Sequence, residues 1–166
     1  MILHELGIST EYVTDRTKAD EIIQHLVSNS TILGFDIETK KALGFESHGQ
    51  AGLEPHLSSI RLVQLYGDGE IVYVFDLDKI GDRSIFTPIQ RHPLVAHNAL
   101  FEMKHLHHVN LCPEQIDCTM LQENALTGGI ESLANLTKTY LGFEISKEEQ
   151  TSDWSQDPLT DTQIAY

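Results

Sequence analysis

The sequence predicts an α/β domain: a mixed sheet with helices on both faces. Three observations carry that prediction. Residues 31–38 (TILGFDIE) read as a largely buried strand. Two further strands, 59–66 (SIRLVQLY) and 70–77 (EIVYVFDL), flank Gly67-Asp68-Gly69, a strong turn signal, and so form a hairpin. After the hairpin, helices and short strands alternate to the end of the chain, which is the order of a sheet with helices packed on it.

The elements follow in order. Residues 17–28 read as a helix, with Thr17 as its cap, Asp20 and Glu21 in the first turn, and Ile22, Ile23, Leu26 and Val27 as its apolar stripe. Residues 39–58 are polar and Gly-rich. That is long for a structureless connection, and such loops tend to be functional. Residues 82–90 read as a short helix, 94–97 as a short buried strand and 99–108 as a helix. Ile116 sits in another short strand before a helix at 119–126. Residues 131–140 read as a helix whose Leu133, Leu136 and Tyr140 share a face, with Gly142 just past its end. A last helix begins in 159–166. The whole is an arrangement of ribonuclease-H-like kind.

Composition narrows the function classes. At 166 residues the chain is one domain with room for a single buried core. No apolar run approaches the roughly 20 residues that span a bilayer, and the N-terminus has no signal-peptide pattern, so no membrane partner is expected. Cys112 and Cys118 give neither a disulfide framework nor a zinc spacing. They read as reduced cysteines packed as small hydrophobes, which fits a cytoplasmic compartment. A net charge of −14 argues against a protein that holds nucleic acid by a broad basic face. It leaves room for one that grips a strand end through divalent cations, which reverse the local sign of an acidic site.

Two places carry candidate chemistry. Asp36 and Glu38 stand two apart on a strand, so both carboxylates project from one face. At the end of a buried strand they repel one another and lose solvation, and a divalent cation is the usual remedy. Alone, the pair reads equally as two solvated acids. The second place is His97-Asn98-Ala99-Leu100-Phe101-Glu102, where a strand end runs into a helix start, the usual ligand position in open α/β sheets. Glu102 there reads otherwise as a carboxylate favoured by the helix dipole. His105, His107 and His108, at i, i+2 and i+3, do not converge well on one ion and read as structural or surface histidines.

With these motifs in order, the chain resembles the Asp-Glu-Asp-Asp superfamily of 3′–5′ exonucleases, in the tyrosine subgroup that includes RNase D and the proofreading domain of family A DNA polymerases. Phe35-Asp36-Ile37-Glu38-Thr39 resembles the first motif, and Ile60 to Leu65 the strand after it. Ala96-His97-Asn98 through Phe101-Glu102 resembles the second motif, and Asp117 to Leu121 the segment beyond. Ser132-Leu133, Leu136, Tyr140-Leu141-Gly142 and Ser152-Asp153-Trp154 fall in family order, and Gln163 to Tyr166 resembles the start of the third motif, Tyr-x-x-x-Asp. Two departures stand out. Glu102 holds the place of an Asp. The third motif's Asp would lie four residues past Tyr166, so the expectation is one exonuclease domain, residues 1–166, that starts naturally at Met1 and is cut short of its last ligand.

The resemblance implies phosphodiester hydrolysis from a 3′ end with release of nucleoside monophosphates. It implies two Mg²⁺ or Mn²⁺ ions about 3.5–4 Å apart, held by oxygen ligands. Asp36 would bridge both ions, Glu38 would hold the first, Glu102 would act through the second, and Tyr166 would orient the attacking water. The backbone around Thr39 and the side chains of Asn98 and Phe101 would hold the terminal nucleotides of a single strand of DNA or RNA. Phe101 reads equally as a core residue. A polymerase or helicase domain in the full gene product is the expected covalent partner. The alternative is a catalytically degenerate exonuclease fold that binds nucleic acid or a protein, favoured by Glu102 and the missing Asp.

Overall fold

The computed structural model describes residues 7–145 and 152–166. Six strands form one mixed sheet. β1 is Ser9–Val13, β2 Leu33–Lys41, β3 Ser58–Tyr66, β4 Ile71–Asp76, β5 Leu94–Ala96 and β6 Ile116–Cys118, in the order β1-β4-β3-β2-β5-β6. β2, β3 and β4 are antiparallel neighbours; β1, β5 and β6 pair in parallel with theirs. This is the mixed α/β sheet expected. β1 is an addition. Its sequence, Ser-Thr-Glu-Tyr-Val, buries one residue fully, so its pattern is too weak to read without the β4 edge it pairs with.

The hairpin turn has no room for a side chain. A Cβ on Gly67 would stand 2.1 Å from Ser30 Oγ, at the end of the first helix. That hydroxyl instead accepts from the Asp68 backbone N–H at 3.2 Å, so the turn and the helix end are fastened together.

Register assigns the side chains to faces. Phe35, Ile37, Val63, Leu65 and Phe75 face one way. They meet Ala19, Ile23 and Leu26 of helix α1 (Arg16–Asn29), Leu77 and Ile80 of the short helix α2 (Leu77–Ile80), and Ile85, Phe86 and Ile89 of the 3₁₀ segment Arg83–Arg91 in the main core. Asp36, Glu38, Leu62 and Val74 face the other way. There Leu62 and Val74 pack with Trp154 and Leu159, and with Ile164 of a one-turn helix, Asp161–Ile164. Helices thus lie on both faces, but the second face is covered mainly by the extended segment that leads into that last turn.

Several local expectations change. α1 starts one residue earlier than read and is capped by Asp15, whose side chain accepts from Lys18 N–H at 2.8 Å; Thr17 lies inside it, and no acid occupies its first turn. Asp was the better cap because its charged oxygen sits at the positive helix end. The 82–90 helix is a 3₁₀ segment with Pro88 inside it. Residues 131–140 split into a short α-turn, Leu133–Leu136, and a π-turn, Thr137–Leu141, with no buried residue in either; Leu133 and Tyr140 are exposed. Cys112 is exposed rather than packed, and both cysteines are free. The described residues contain no helix long and apolar enough to cross a membrane.

Candidate active site

Asp36 and Glu38 project from the second face of β2, alternating with the buried Phe35 and Ile37. The β2–β3 register shifts immediately after Glu38: Glu38 pairs with Leu62 and Thr39 with Ile60, leaving Arg61 as the extra residue of a bulge. Such irregularities redirect side chains, and they recur beside active sites. On β2's other edge, β5 ends at Ala96, and three residues on begins helix α3, Leu100–His108. Asn98 makes the turn between them in the left-handed region, at φ 60°. That conformation is tolerated by Asn better than by most side chains. It sets Glu102 in the first turn of α3, pointing at Asp36.

Glu102 is buried, with 2% of its surface exposed. It engages Asp36 through a side-chain hydrogen bond, so the extra methylene relative to Asp does not stop the two carboxyls from meeting. Its Oε2 is buried without a partner. Asp36 is open to solvent through the cavity mouth, yet protein crowds it elsewhere. Burial raises the pKa of both Asp36 and Glu102. Glu38 is pushed up to about 8 by burial, and then by the charges of Asp36 and Glu102. Three acids thus crowd one wall, and among the described residues nothing cationic pairs with them.

These acids line a cavity of about 790 Å³. Thr39, Asn98 and Phe101 line it too, and so does Tyr166 from the far end of the chain. All seven residues singled out in the sequence therefore meet in one concavity, drawn from β2, the β5–α3 turn and the C-terminal turn. Tyr166 stands with its ring 6.2 Å from that of Trp154. Gln163 holds this segment in place: it is buried, closes a capping box with Thr160, and donates to Ser152 Oγ at 2.8 Å and Asp153 O at 3.1 Å.

Residues 10–166 match the family described as 3′–5′ exonuclease. The chain belongs to that family. It is 32% identical over 157 residues to DNA polymerase I of Aquifex aeolicus (strain VF5), covering 94% of this chain and 24% of that protein. Among solved structures, Escherichia coli RNase D superposes with a TM-score of 0.79 at 20% identity, over 95% of this chain and 40% of its own. The catalytic core of RRP6 from Trypanosoma brucei, in a C496S mutant form, gives 0.79 at 17%, covering 95% and 42%. The structure of Trypanosoma brucei RNase D in complex with RNA U12 gives 0.78 at 17%, covering 96% and 57%. The domain is thus a 3′–5′ exonuclease domain of the Asp-Glu-Asp-Asp superfamily, with a ribonuclease-H-like fold.

The cavity also has a wall the motifs did not announce. Lys40, Lys41, Glu46, Gly49, Gly52 and Leu53 line it from the 42–57 loop and its root, and Ser152, Asp153, Trp154 and Ser155 from the other side. Ser152-Asp153-Trp154 was visible as a motif in family order, and Lys40-Lys41 directly follows the first motif; neither position alone signals a wall. Thr39 Oγ1 donates to Gly52 O at 2.6 Å, which fastens the 42–57 loop to β2. Phe101 serves both of the roles open to it: it packs on the main core and against the His105 ring, and it lines the cavity.

Among the described residues, no three His, Cys, Asp or Glu side chains are gathered to metal-ligating distance. The donor set nonetheless fits hard divalent cations: it is all oxygen, and one buried carboxylate oxygen lacks a partner. The histidines have other tasks. His105 is buried between Phe101 O and Ser58 Oγ, each at about 3 Å, and burial holds its ring below the ordinary pKa. His107 meets Cys112 Sγ, and His108 packs edge-on against His56.

Proposed function

We propose that this domain removes nucleotides one at a time from the 3′ end of a single strand by hydrolysing the terminal phosphodiester bond, with two Mg²⁺ or Mn²⁺ ions as cofactors. The observation that carries the reading is the meeting of Asp36, Glu38, Glu102 and Tyr166 in one cavity, with a buried, unpartnered oxygen on Glu102. Residues far apart in the sequence have no packing reason to place three acids together, and the raised pKa of each marks a site in need of positive charge.

Asp36, Glu38 and Glu102 would hold the cations, Asp36 between the other two. When bound, the cations supply a lowered pKa for the attacking water and neutralise charge developing on the leaving 3′ oxygen. The chain's own residues do the positioning. Tyr166, its ring backed by Trp154, orients the attacking water through its hydroxyl. The Thr39 backbone holds the terminal sugar and phosphate, while Asn98 and Phe101 hold the terminal base, Phe101 by its ring face. The unit is the single domain of residues 1–166. The polymerase relative makes proofreading beside a polymerase domain one setting for it, and the RNase D likeness makes RNA trimming another.

The test is an incubation of the full-length protein with 3′- and 5′-labelled single-stranded DNA and RNA in Mg²⁺, Mn²⁺ or EDTA. A metal-dependent ladder that shortens from the 3′ end is expected, and its sugar preference names the substrate. Binding without cleavage would replace this reading by a degenerate binding module. Glu102→Asp, which restores the family's residue, would then identify the cause by recovering activity.

A further inference from the structure

Among the described residues, four buried side-chain atoms have no hydrogen-bond partner: Arg61 Nε, Gln64 Nε2, His92 Nε2 and Glu102 Oε2. Two of these are easily accommodated. Arg61 spends its other nitrogens on Asp76 and Asp78, and one nitrogen of an imidazole can stand as an unused lone pair. The remaining two flank Asp36. Glu102 reaches it from the β5 side through their side-chain hydrogen bond. Gln64 stands directly opposite it on β3, the strand on its other side. An orphaned acceptor and an orphaned donor thus sit on either side of one carboxylate.

Register says what the amide can reach. Directly paired residues of an antiparallel ladder share a face, with Cβ atoms about 4.5–5.5 Å apart. Gln64 pairs with Asp36 on β2 and Val74 on β4. Its same-face neighbours on β3 are Leu62, which is core, and Tyr66, whose hydroxyl donates to Gly69 O at 2.8 Å. Of these four, only Asp36 carries a carboxylate. A glutamine among Leu62 and Val74 interrupts an apolar face, and a buried amide nitrogen with two unused N–H donors is costly. Packing alone gives no reason for it. As the structure stands, Asp36 is engaged by Glu102 and by the Ile37 backbone. A divalent cation held by both acids would replace the bond between them. A neutral amide donor could then orient the Asp36 carboxylate without adding charge beside the cation.

We propose that Gln64 is a positioning residue whose side-chain amide donates to Asp36 when a divalent cation takes the place of the Asp36–Glu102 bond. The proposal rests on the two-cation reading above and deepens it. Glu102 and Gln64 hold Asp36 in turn, one before the cation arrives and one after.

The experiment compares the full-length protein with Gln64→Met and Gln64→Leu, two apolar replacements that remove the donor. Each is melted in EDTA, and Mn²⁺ binding is titrated without nucleic acid by electron paramagnetic resonance of the free ion. In EDTA both variants should melt no lower than the wild type, because they lose an unpaired buried donor. Their Mn²⁺ dissociation constants should rise about tenfold, as for loss of a hydrogen bond to a metal ligand. Cleavage should fall at low Mn²⁺ and recover as Mn²⁺ is raised. Unchanged Mn²⁺ affinity in both variants overturns this inference and leaves the exonuclease reading standing. Lower melting of both in EDTA also overturns it, and makes Gln64 a packing residue. A wild type that binds no Mn²⁺ overturns this inference together with the two-cation reading.

Discussion

Two acidic clusters sit side by side on this sheet and treat charge in opposite ways. Asp76 and Asp78, at the end of β4, are met by a full set of donors. Arg61, 1% exposed, gives NH2 to Asp76 at 2.8 Å and NH1 to Asp78 at 2.5 Å; Lys40 adds to Asp78 and the Tyr12 hydroxyl to Asp76. Asp36, Glu38 and Glu102 lie on β2 and the helix after β5, with β3 between them and β4; among the described residues, no cation pairs with them. The same bulge that pushes Arg61 out of register with β2 separates the two clusters. A buried acid is tolerated in the first because its partners are part of the chain. In the second, the proposed cations would be that partner and would come from solution.

Breaking each cluster should therefore have opposite signatures. Asp36→Ala should cut metal-dependent cleavage by more than about a thousandfold, roughly 4 kcal/mol of barrier. In EDTA it should melt no lower than the wild type, because it removes a repulsion. Retained cleavage would end the assignment. Arg61→Met should do the reverse. It leaves the fully buried Asp76 without its cation and should cost about 3–5 kcal/mol in urea unfolding.

Cation addition sharpens the contrast. At about one hundred times its dissociation constant, Mg²⁺ or Mn²⁺ should stabilise the wild type by about 2.7 kcal/mol. It should stabilise Arg61→Met by a similar amount and Asp36→Ala hardly at all. Equal shifts in all three variants would place the cation elsewhere. Tyr12→Phe, which deletes one hydrogen bond to a charged acceptor, should cost about 1.5 kcal/mol and leave cleavage unchanged. Burial, and then the bond to Asp76, pushes the Tyr12 phenol up to about 12, so it remains a donor at any working pH.

The gentlest trend is with pH. Glu38 in the metal-free fold is raised from 4.5 to about 8, so the folded state binds more protons than the unfolded one between those values. Stability in EDTA should then fall as pH rises through that window and level off above it. Melting curves from pH 5 to 9 check this, and saturating Mg²⁺ should flatten the decline. A metal-free protein that gains stability over the same range would refute the raised Glu38.

Much of this was legible in the sequence because it follows from local rules. Asp36 and Glu38 share a face through strand alternation, Gly67-Asp68-Gly69 announces its hairpin, and the strand-to-helix step before Glu102 marks a ligand position. What stayed hidden depends on contacts across the fold. β1 escaped notice because, although Thr10, Tyr12 and Val13 favour a strand, only Val13 is buried and no apolar alternation marks it; its place is set by the β4 edge. Residues 133–141 carry a helical apolar pattern, yet they bury nothing, and without burial the pattern did not hold one continuous α-helix. Asp15 outcompeted Thr17 as a cap by where the chain enters α1.

The sequence holds one tryptophan, and the fold has placed it in the cavity wall. Trp154 is 5% exposed, with Tyr166 against it and the acids across the gap. Its emission therefore reports on this cavity wall and on the small core of Leu62, Val74 and Leu159 behind it. The protein carries its own optical probe: a strand end or a cation entering the cavity should alter indole fluorescence, so occupancy can be followed by titration without a label and without turnover.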